Sequence, residues 1–278
     1  EVNDQNDCPF NIENLEITEP DPMGISETHS DYNGYGVSCF GESDGFIDIT
    51  VTGGTGIYTY LWSNGETTED LSDIGADTYT VTVTDENGCE IAIDVSIIEP
   101  NNEITISVIQ SEYSGYGVSC HGETDGFLDI TVIGGTENYL FNWSNGETTE
   151  DLSDIGAGTY TVTVTDENGC TESSTFEITE TEPMAISEIH SDYNGFGVSC
   201  HGSCDGFIDI TVTGGTGNYT YEWMTGSQLE DVDNLCAGTW IVVAYDENLC
   251  EVSLEIEITE PEEISASNND SIAIVSEF

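Results

Sequence analysis

Residues Asp44 to Thr55 read DGFIDITVTGGT, and the stretch alternates between apolar and polar side chains. Ile47, Ile49 and Val51 occupy every second position of it. Because successive side chains of a β-strand point to opposite faces of the sheet, this two-residue period predicts a strand with one buried face. The glycine pair that follows is typical of a turn between two strands.

The same period extends along the chain on the C-terminal side of this stretch. It predicts three further half-buried strands, a fourth apolar alternation and a short edge strand: Tyr58, Tyr60 and Trp62; Tyr79, Val81 and Val83; Ile91, Ile93, Val95 and Ile97; Ile104, Ile106 and Val108; and Glu66 to Leu71. Asn64-Gly65 and Asn87-Gly88 indicate turns, and the second has the signature of a type I′ hairpin. Six or seven strands in some 80 residues predict a small two-sheet sandwich.

The whole pattern repeats along the chain. DYNGYGVSC ends at Cys39, EYSGYGVSC at Cys120 and DYNGFGVSC at Cys200, so the period is 81 and then 80 residues. Each copy closes on a Glu-Pro pair: Glu99-Pro100, Glu182-Pro183 and Glu260-Pro261. These positions predict the last strand of a preceding repeat in residues 1–20, repeat one in 21–100, repeat two in 101–183, repeat three in 184–261, and the start of a following module in 262–278.

The aromatic residues of each repeat predict the type of sandwich. Trp62, Trp143 and Trp223 end the same predicted strand, and an aromatic residue begins the penultimate strand at Tyr79, Tyr160 and Trp240. A core tryptophan and a tyrosine at these places resemble immunoglobulin-like folds. We therefore expect an all-β chain of tandem immunoglobulin-like β-sandwich modules arranged as an extended rod.

Three motifs recur in each copy and carry a family resemblance. They are VSC-x-G-x-x-DG-x-I-x-I-T-V-x-GGT, then Y-x-W-SNGETTEDLSDIGA, then TYTVTVTDENGC. Together they resemble the SprB-type repeat of gliding-motility and surface adhesins of Bacteroidetes. The third copy departs from them at Met224 and at Leu249, which replaces a turn glycine.

The resemblance implies a function and a location. It implies a very long cell-surface protein, secreted by the type IX system, in which the repeats form a stalk or filament for gliding motility or surface attachment. Its partners would be neighbouring repeats of the same long chain, with surface polysaccharide or substratum as the adhesion target.

The charge of the chain is one-sided. It has 56 Asp and Glu residues but no Lys or Arg, which gives a formal net charge of −56. The negative field repels phosphate backbones, and the surface offers none of the Lys and Arg contacts that dominate nucleic-acid affinity. Nucleic-acid binding is therefore not expected. The excess of acidic over basic residues has an alternative explanation, which is adaptation to salty water. Proteases that cut after Lys or Arg find no site, which suits exposure outside a cell.

The cysteines predict disulfides in an exported protein. Of nine cysteines, six form three pairs 50 residues apart, and repeat three adds two more. The favoured pairing lies within repeats, although standard sandwich geometry would place those partners at opposite ends, and pairing across repeats is the alternative. Favoured are Cys39–Cys89, Cys120–Cys170, Cys200–Cys250 and Cys204–Cys236, with Cys8 left over; the alternative joins Cys39 to Cys170 and Cys120 to Cys250.

One ligand hypothesis and one alternative function follow from polar and aromatic residues. Glu99, Glu103, Glu182 and Glu262 crowd the predicted junctions, and such oxygen ligands suit calcium, which takes six to eight of them. The alternative is that these carboxylates are solvated charges on exposed loops. No other cofactor is expected, and no catalytic triad recurs, so an enzyme is not expected. The alternative to a stalk is a set of carbohydrate-binding modules that stack sugars on Tyr32, Tyr35 and Tyr116.

Overall fold

The computed structural model describes residues 2–3, 9–10 and 16–265, which form twenty β-strands and no helix. No part of these ranges is therefore a helix long and apolar enough to cross a membrane. Contacts between Cα atoms divide the chain into two compact units. The first consists of residues 1–107, 131–142 and 163–173, and the second of residues 108–130, 143–162 and 174–278.

Repeat one contains six antiparallel strands in two sheets. After the two-residue strands β1 (Val2–Asn3) and β2 (Pro9–Phe10), which pair with each other, the strands are β3 (Gly24–His29), β4 (Gly45–Thr52), β5 (Thr59–Trp62), β6 (Leu71–Ile74), β7 (Asp77–Thr84) and β8 (Glu90–Ile97). The sheet orders are β3-β4-β6 and β5-β7-β8. The six strands are thus divided between the two sheets as strands A, B, E and C, F, G of an immunoglobulin domain are.

The same order recurs twice more. The strands are β9 (Thr105–Gln110), β10 (Gly126–Ile133), β11 (Leu140–Trp143), β12 (Leu152–Ile155), β13 (Gly158–Thr165), β14 (Thr171–Ile178), β15 (Ala185–His190), β16 (Gly206–Thr213), β17 (Thr220–Trp223), β18 (Val232–Leu235), β19 (Gly238–Tyr245) and β20 (Glu251–Ile258). Their sheets are β9-β10-β12, β11-β13-β14, β15-β16-β18 and β17-β19-β20. The immunoglobulin-like β class predicted from the sequence is confirmed.

The two-residue period places the core of repeat one as predicted. Ile47, Ile49, Val81 and Val83 are buried, and Trp62 is only 2% exposed. Burying one such aliphatic side chain stabilises the fold by about 1.5–3 kcal/mol. The two-residue alternation in the sequence therefore reflects the side chains that contribute most to the stability of the core.

The corner between β6 and β7 is tied by a tyrosine. The Tyr79 hydroxyl donates to the carbonyl of Gly75 over 3.1 Å, and Tyr160 does the same to Gly156 over 2.9 Å. Such a tyrosine corner is a hallmark of immunoglobulin-like sandwiches. Trp240 replaces it in repeat three, where the indole Nε1 donates to the carbonyl of Cys236 over 3.2 Å.

The predicted edge strand from Glu66 to Leu71 is wrong, because the strand begins at Leu71 and ends at Ile74. The preceding residues form a loop in which the carbonyl of Thr68 accepts from the Trp62 indole Nε1 over 2.9 Å. The Asp70 carboxylate accepts from the backbone N–H of Ile49 over 3.0 Å. A side chain therefore takes a hydrogen bond that a longer edge strand would have taken with its backbone.

The predicted type I′ turn at Asn87-Gly88 is also wrong, since only Gly88 of this pair has a positive φ. The Asp85 carbonyl accepts from Gly88, and the Asp85 N–H donates to Cys89. This is the three-residue hairpin that ends in a left-handed glycine. Repeat three has Leu249 at the left-handed position, with φ 67° and a 78% exposed side chain.

Leu249→Gly should stabilise repeat three by about 1 kcal/mol, because glycine takes the left-handed conformation without the steric cost borne by leucine. The measurement is the free energy of unfolding in denaturant. The matched substitution is Gly169→Leu at the same turn of repeat two, which should destabilise by a similar amount. Equal stability of all three chains would contradict the assignment.

Candidate functional site at the inter-repeat disulfides

Two disulfides join cysteines of consecutive repeats. Cys39 bonds to Cys170 with a Cα–Cα distance of 5.8 Å, and Cys120 bonds to Cys250 with a distance of 5.6 Å. The first bond lies within the first compact unit and the second within the second unit. The favoured pairing within repeats is therefore wrong for Cys39–Cys89, Cys120–Cys170 and Cys200–Cys250, and the alternative across repeats is the one observed.

The reason is the position of the two cysteines of a repeat relative to its last strand. Gly36, near Cys39, donates its N–H to the carbonyl of Ile98 just after β8, whereas Cys89 immediately precedes β8. Eight residues of strand span about 26 Å. A disulfide needs its Cα atoms within about 7 Å, so the two cysteines of one repeat cannot meet.

The remaining cysteines of the described residues are a bonded pair and two thiols. Cys204 and Cys236 form the additional bond expected in repeat three. Cys89 and Cys200 are free and exposed. Cys8 lies outside the described residues, as do residues 1, 4–7 and 11–15 of the predicted end of a preceding repeat and residues 266–278.

One side of each junction is a hairpin turn organised by a buried aspartate. In repeat two, Asp166 Oδ1 accepts from the backbone N–H groups of Asn168 over 3.0 Å and Cys170 over 2.8 Å. Its Oδ2 accepts from the N–H of Thr136 over 2.8 Å. Three donors to one buried carboxylate fix the turn and so aim the Asn168 and Cys170 side chains at the neighbouring repeat.

The other side of each junction is the loop that carries Cys39. Val37 is fully buried beneath it, and the backbone N–H of Ser38 donates to Asp44 Oδ1 over 3.0 Å. Burial alone would raise the pKa of Asp44, but hydrogen bonds from Ser38 outweigh it and hold the pKa below its ordinary value. The loop begins with a turn at Asn33-Gly34 whose two residues both have positive φ, as in a type I′ turn.

Asn168 connects the two sides. Its Nδ2 donates to the carbonyl of Tyr32 over 3.2 Å and to that of Ser38 over 3.0 Å. Its Oδ1 accepts from Asn33 Nδ2 over 2.6 Å. One amide side chain thus makes three hydrogen bonds to the preceding repeat beside the disulfide.

The second junction reproduces this arrangement. Asn248 Nδ2 donates to the carbonyls of Tyr113 over 3.4 Å and Ser119 over 3.0 Å. The hydroxyl of Ser114, which replaces Asn33, donates to Asn248 Oδ1 over 2.8 Å. The sequence prediction did not include this asparagine. Its recurrence at position 248, next to a turn glycine replaced by leucine, was the available signal.

Asn168→Ala should lower the free energy of unfolding by about 1–2 kcal/mol, because two backbone carbonyls and one amide lose their partner. The matched control is Asn87→Ala, the equivalent residue of repeat one, whose Nδ2 donates to Thr55 Oγ1 and to no other described residue. That change should cost less than about 0.5 kcal/mol. Equal losses in the two variants would show that Asn168 acts only within its own turn.

The turn aspartate of repeat one predicts a pH dependence. The backbone N–H of Cys89 is the largest influence lowering the pKa of Asp85 below its ordinary value of 3.8, and Thr55 and Asn87 add to it. A carboxyl group with a lowered pKa stabilises the fold above its ordinary pKa, and this stabilisation is lost as the pH falls through the folded value. Asp85→Asn should therefore be less stable than the native chain at neutral pH, and the difference should shrink below pH 3.8.

Urea unfolding between pH 2.5 and 7 measures that difference. The matched control is Asp48→Asn, which removes the same charge from an exposed position on β4. A stability difference for Asp85→Asn that does not change with pH would contradict the assigned role of its carboxylate.

The four carboxylates predicted as calcium ligands do not share one environment. Glu99 Oε2 accepts from the backbone N–H of Gly41 over 2.7 Å, beside Cys39, while Glu103, Glu182 and Glu262 are exposed. In the described part of the chain no group of three or more His, Cys, Asp or Glu side chains could hold a metal ion. Calcium at these residues stays a prediction, and thermal unfolding with and without EDTA at constant ionic strength tests it.

The four histidines all lie beside glutamates. The Nδ1–Oε distances are 2.9 Å for His29–Glu27, 3.3 Å for His121–Glu180, 2.8 Å for His190–Glu188 and 3.3 Å for His201–Glu260. Each pair is at least partly exposed, so its contribution to stability is small even when the histidine is protonated.

The tyrosines of the carbohydrate-binding alternative are part of the junction loops. Tyr32, Tyr35 and Tyr116 are half-buried, and the carbonyl of Tyr32 accepts from Asn168. Stacking on a sugar needs an open aromatic face. The three tyrosines therefore expose less aromatic surface for stacking on a sugar than the sequence indicated.

Comparison with known proteins identifies the repeats. The sequence model of the SprB repeat family matches residues 37–67, 118–148 and 198–228. The chain therefore carries three SprB repeats, and each match begins at the valine of a junction loop. Together with the disulfides, the repeats indicate an extracellular or cell-surface protein. No curated protein matches the sequence.

Solved structures similar to the chain are also built from tandem domains. They include the N-terminal eight Ig domains of the Down syndrome cell adhesion molecule DSCAM, isoform 1.30.30, at 12% identity over 73% of this chain and 33% of that one, with a TM-score of 0.37. Another is Dpr2 Ig1-Ig2 in complex with DIP-Theta Ig1-Ig3, at 10% identity over 85% and 99% of the two chains, with a TM-score of 0.31.

A third similar structure is a tetra-tandem repeat in the extending region of a large adhesion protein. It is 14% identical over 86% of this chain and 74% of that one, with a TM-score of 0.24. The chain spans only about a third of the length of the DSCAM structure. Similarity at these TM-scores says nothing about function.

Proposed function

We propose that the chain is a load-bearing stalk segment of a large secreted cell-surface adhesin that serves gliding motility or surface attachment. The observation that carries the proposal is the pair of overlapping disulfides, each of which links one SprB repeat to the next. A stalk must transmit force without lengthening. Covalent bonds between repeats supply that property directly.

The bonds shorten the covalent path along which force passes. Along the backbone, Cys39 and Cys250 are 211 residues apart. Through the disulfides, the path runs from Cys39 to Cys170, back along 50 residues to Cys120, and across to Cys250. While both bonds are intact, unfolding between Cys39 and Cys250 can therefore release no more chain than these 50 residues.

The surface chemistry also suits exposure outside a cell. With no Lys or Arg in 278 residues, the chain offers no site to proteases that cut after basic residues. The net charge of −56 keeps neighbouring copies apart by electrostatic repulsion. Export by the type IX system, as in the family that the sequence resembles, is part of this proposal.

Pulling a single chain by its ends tests the proposal. With both disulfides intact, the region between Cys39 and Cys250 should extend by no more than its 50-residue path allows. After reduction it should extend roughly 550 Å further, since an extended chain spans about 3.3–3.6 Å per residue. The double variant Cys39→Ser, Cys120→Ser should gain this extension without any reductant, except for the 32 residues that the Cys204–Cys236 bond still closes.

The control is Cys204→Ser, Cys236→Ser, which removes only the bond within repeat three. It should leave the restriction between Cys39 and Cys250 in place. An oxidised native chain that extends as far as the reduced one would overturn the load-bearing function.

A further inference from the structure

The two free thiols lie on surfaces that match the two sides of a junction. Cys89 follows the Asp85 turn, as Cys170 follows the Asp166 turn. Asp85 Oδ1 accepts from the N–H groups of Asn87 over 2.9 Å and Cys89 over 2.8 Å, close to the distances in the bonded turn. The turn therefore has its junction geometry although no other repeat in the described part of the chain binds it.

The Asp85 turn differs from the Asp166 turn in the exposure and hydrogen bonds of two side chains, and both differences are those expected when the neighbouring repeat is absent. Asn87 and Cys89 are exposed, whereas Asn168 and Cys170 are half-buried. Asn87 Nδ2 donates over 2.7 Å to Thr55 Oγ1 of its own repeat, and not to carbonyls of another repeat. Its amide is free to exchange this exposed bond for those that Asn168 makes.

The Cys200 loop has the opposite side of the junction. The turn at Asn194-Gly195 has φ values of 56° and 95°, close to the 52° and 92° of Asn33-Gly34. The N–H of Ser199 donates to Asp205 Oδ1 over 3.1 Å, as Ser38 does to Asp44. This loop too keeps the conformation of its bonded counterparts.

The Cys200 loop also exposes apolar surface. Tyr193 is 39% and Phe196 38% exposed, and Ser199 and Cys200 are exposed as well. The residues equivalent to these four are half-buried in both formed junctions: Tyr32, Tyr35, Ser38 and Cys39, and Tyr113, Tyr116, Ser119 and Cys120. An aromatic pair beside a thiol is thus uncovered at the one loop of the three that no turn within residues 16–265 contacts.

We propose that the Cys200 loop and the Asp85–Cys89 turn are complementary docking surfaces, and that each binds and disulfide-bonds a further SprB repeat. For the chain in isolation, that partner is a second copy joined head to tail through Cys200 and Cys89. The proposal extends the stalk function without depending on it, because the pulling experiment concerns bonds within one chain and this one concerns bonds between chains.

The bond needs an oxidant, and a small-molecule disulfide supplies it. One thiolate attacks oxidised glutathione to give a mixed disulfide and release one glutathione thiolate. The thiolate of the second copy then attacks the protein sulfur of that mixed disulfide and releases the second glutathione thiolate. Two protein thiols are oxidised and one glutathione disulfide is reduced to two thiols, because the two protons lost by the protein thiols are taken up by the two glutathione thiolates.

Two copies of the chain repel each other, and this sets the conditions. The formal charge of −56 per copy opposes association at low ionic strength. At 1 M salt the Debye length falls to about 3 Å, so the hydrogen bonds and apolar contacts of the junction decide the outcome.

Mixing two single-thiol variants tests the proposal. Both carry Cys8→Ser; one also carries Cys89→Ser and offers Cys200, and the other carries Cys200→Ser and offers Cys89. Because only exposed free cysteines are replaced in the described part of the chain, the fold should not change. In oxidised glutathione at 1 M salt, the mixture should form the mixed dimer in large excess over either homodimer, as non-reducing electrophoresis measures.

Asn87→Ala in the Cys89 partner should slow mixed-dimer formation by about tenfold, which corresponds to about 1.4 kcal/mol of lost hydrogen bonding. The matched control is Asn64→Ala, an exposed turn asparagine of the same repeat, which should leave the rate unchanged. Peptide mapping with a glutamate-specific protease should recover a Cys89–Cys200 peptide. Dimers in statistical proportions, or a rate insensitive to Asn87→Ala, would overturn the proposal and leave the bonds within the chain unaffected.

Discussion

The absence of Lys and Arg is the constraint on which the rest of the structure depends. A carboxylate in this chain has only N–H and O–H groups and four histidines as partners, so a buried carboxylate must accept hydrogen bonds or remain unpaired at high cost. The buried Asp166 accepts from a junction turn, and the exposed Asp70 and Asp44 accept in the same way from the backbone of β4 and from a junction loop. In other proteins such acids often bind basic side chains, whereas here they shape loops.

This use of acids links the charge of the chain to its disulfides. The carboxylate of Asp166 holds the turn that presents Asn168 and Cys170, and the carboxylate of Asp44 holds the loop that presents Cys39. Both loops are thus set by short-range hydrogen bonds within their own repeats. The bond between repeats then forms from two surfaces that already have their final conformation, which lowers the entropic cost of joining them.

The sequence predicted the features that depend on local pattern. Alternating residues such as Ile47 and Ile49 located the strands, and the recurring tryptophan located the core, because burial on one face of a strand imposes a period that is visible in one repeat. The cysteine pairing was not predictable in this way. Cys39 has chemically equivalent partners at Cys89 and Cys170, and only the length of β8 excludes the nearer one.

The conformation of the turns was also only partly predictable from local sequence. Asn33-Gly34 and Asn87-Gly88 are the same dipeptide, yet only the first adopts two positive φ angles. The difference comes from Asp85, whose carboxylate accepts from residues two and four positions later and fixes a longer hairpin. A dipeptide signature cannot report that contact, because it depends on how a side chain outside the dipeptide is buried.

The span of 131 residues between Cys39 and Cys170 has a consequence for the order of biogenesis. When repeat one has folded, its own two thiols are already locked apart, and Cys39 must wait until the whole of repeat two has emerged and folded. Each bond therefore forms only after the following repeat has folded, because only the folded aspartate turn places its cysteine within bonding distance. If a repeat misfolds, the loop cysteine of the preceding repeat stays a free thiol. That free thiol shows at which position of the array the defect lies.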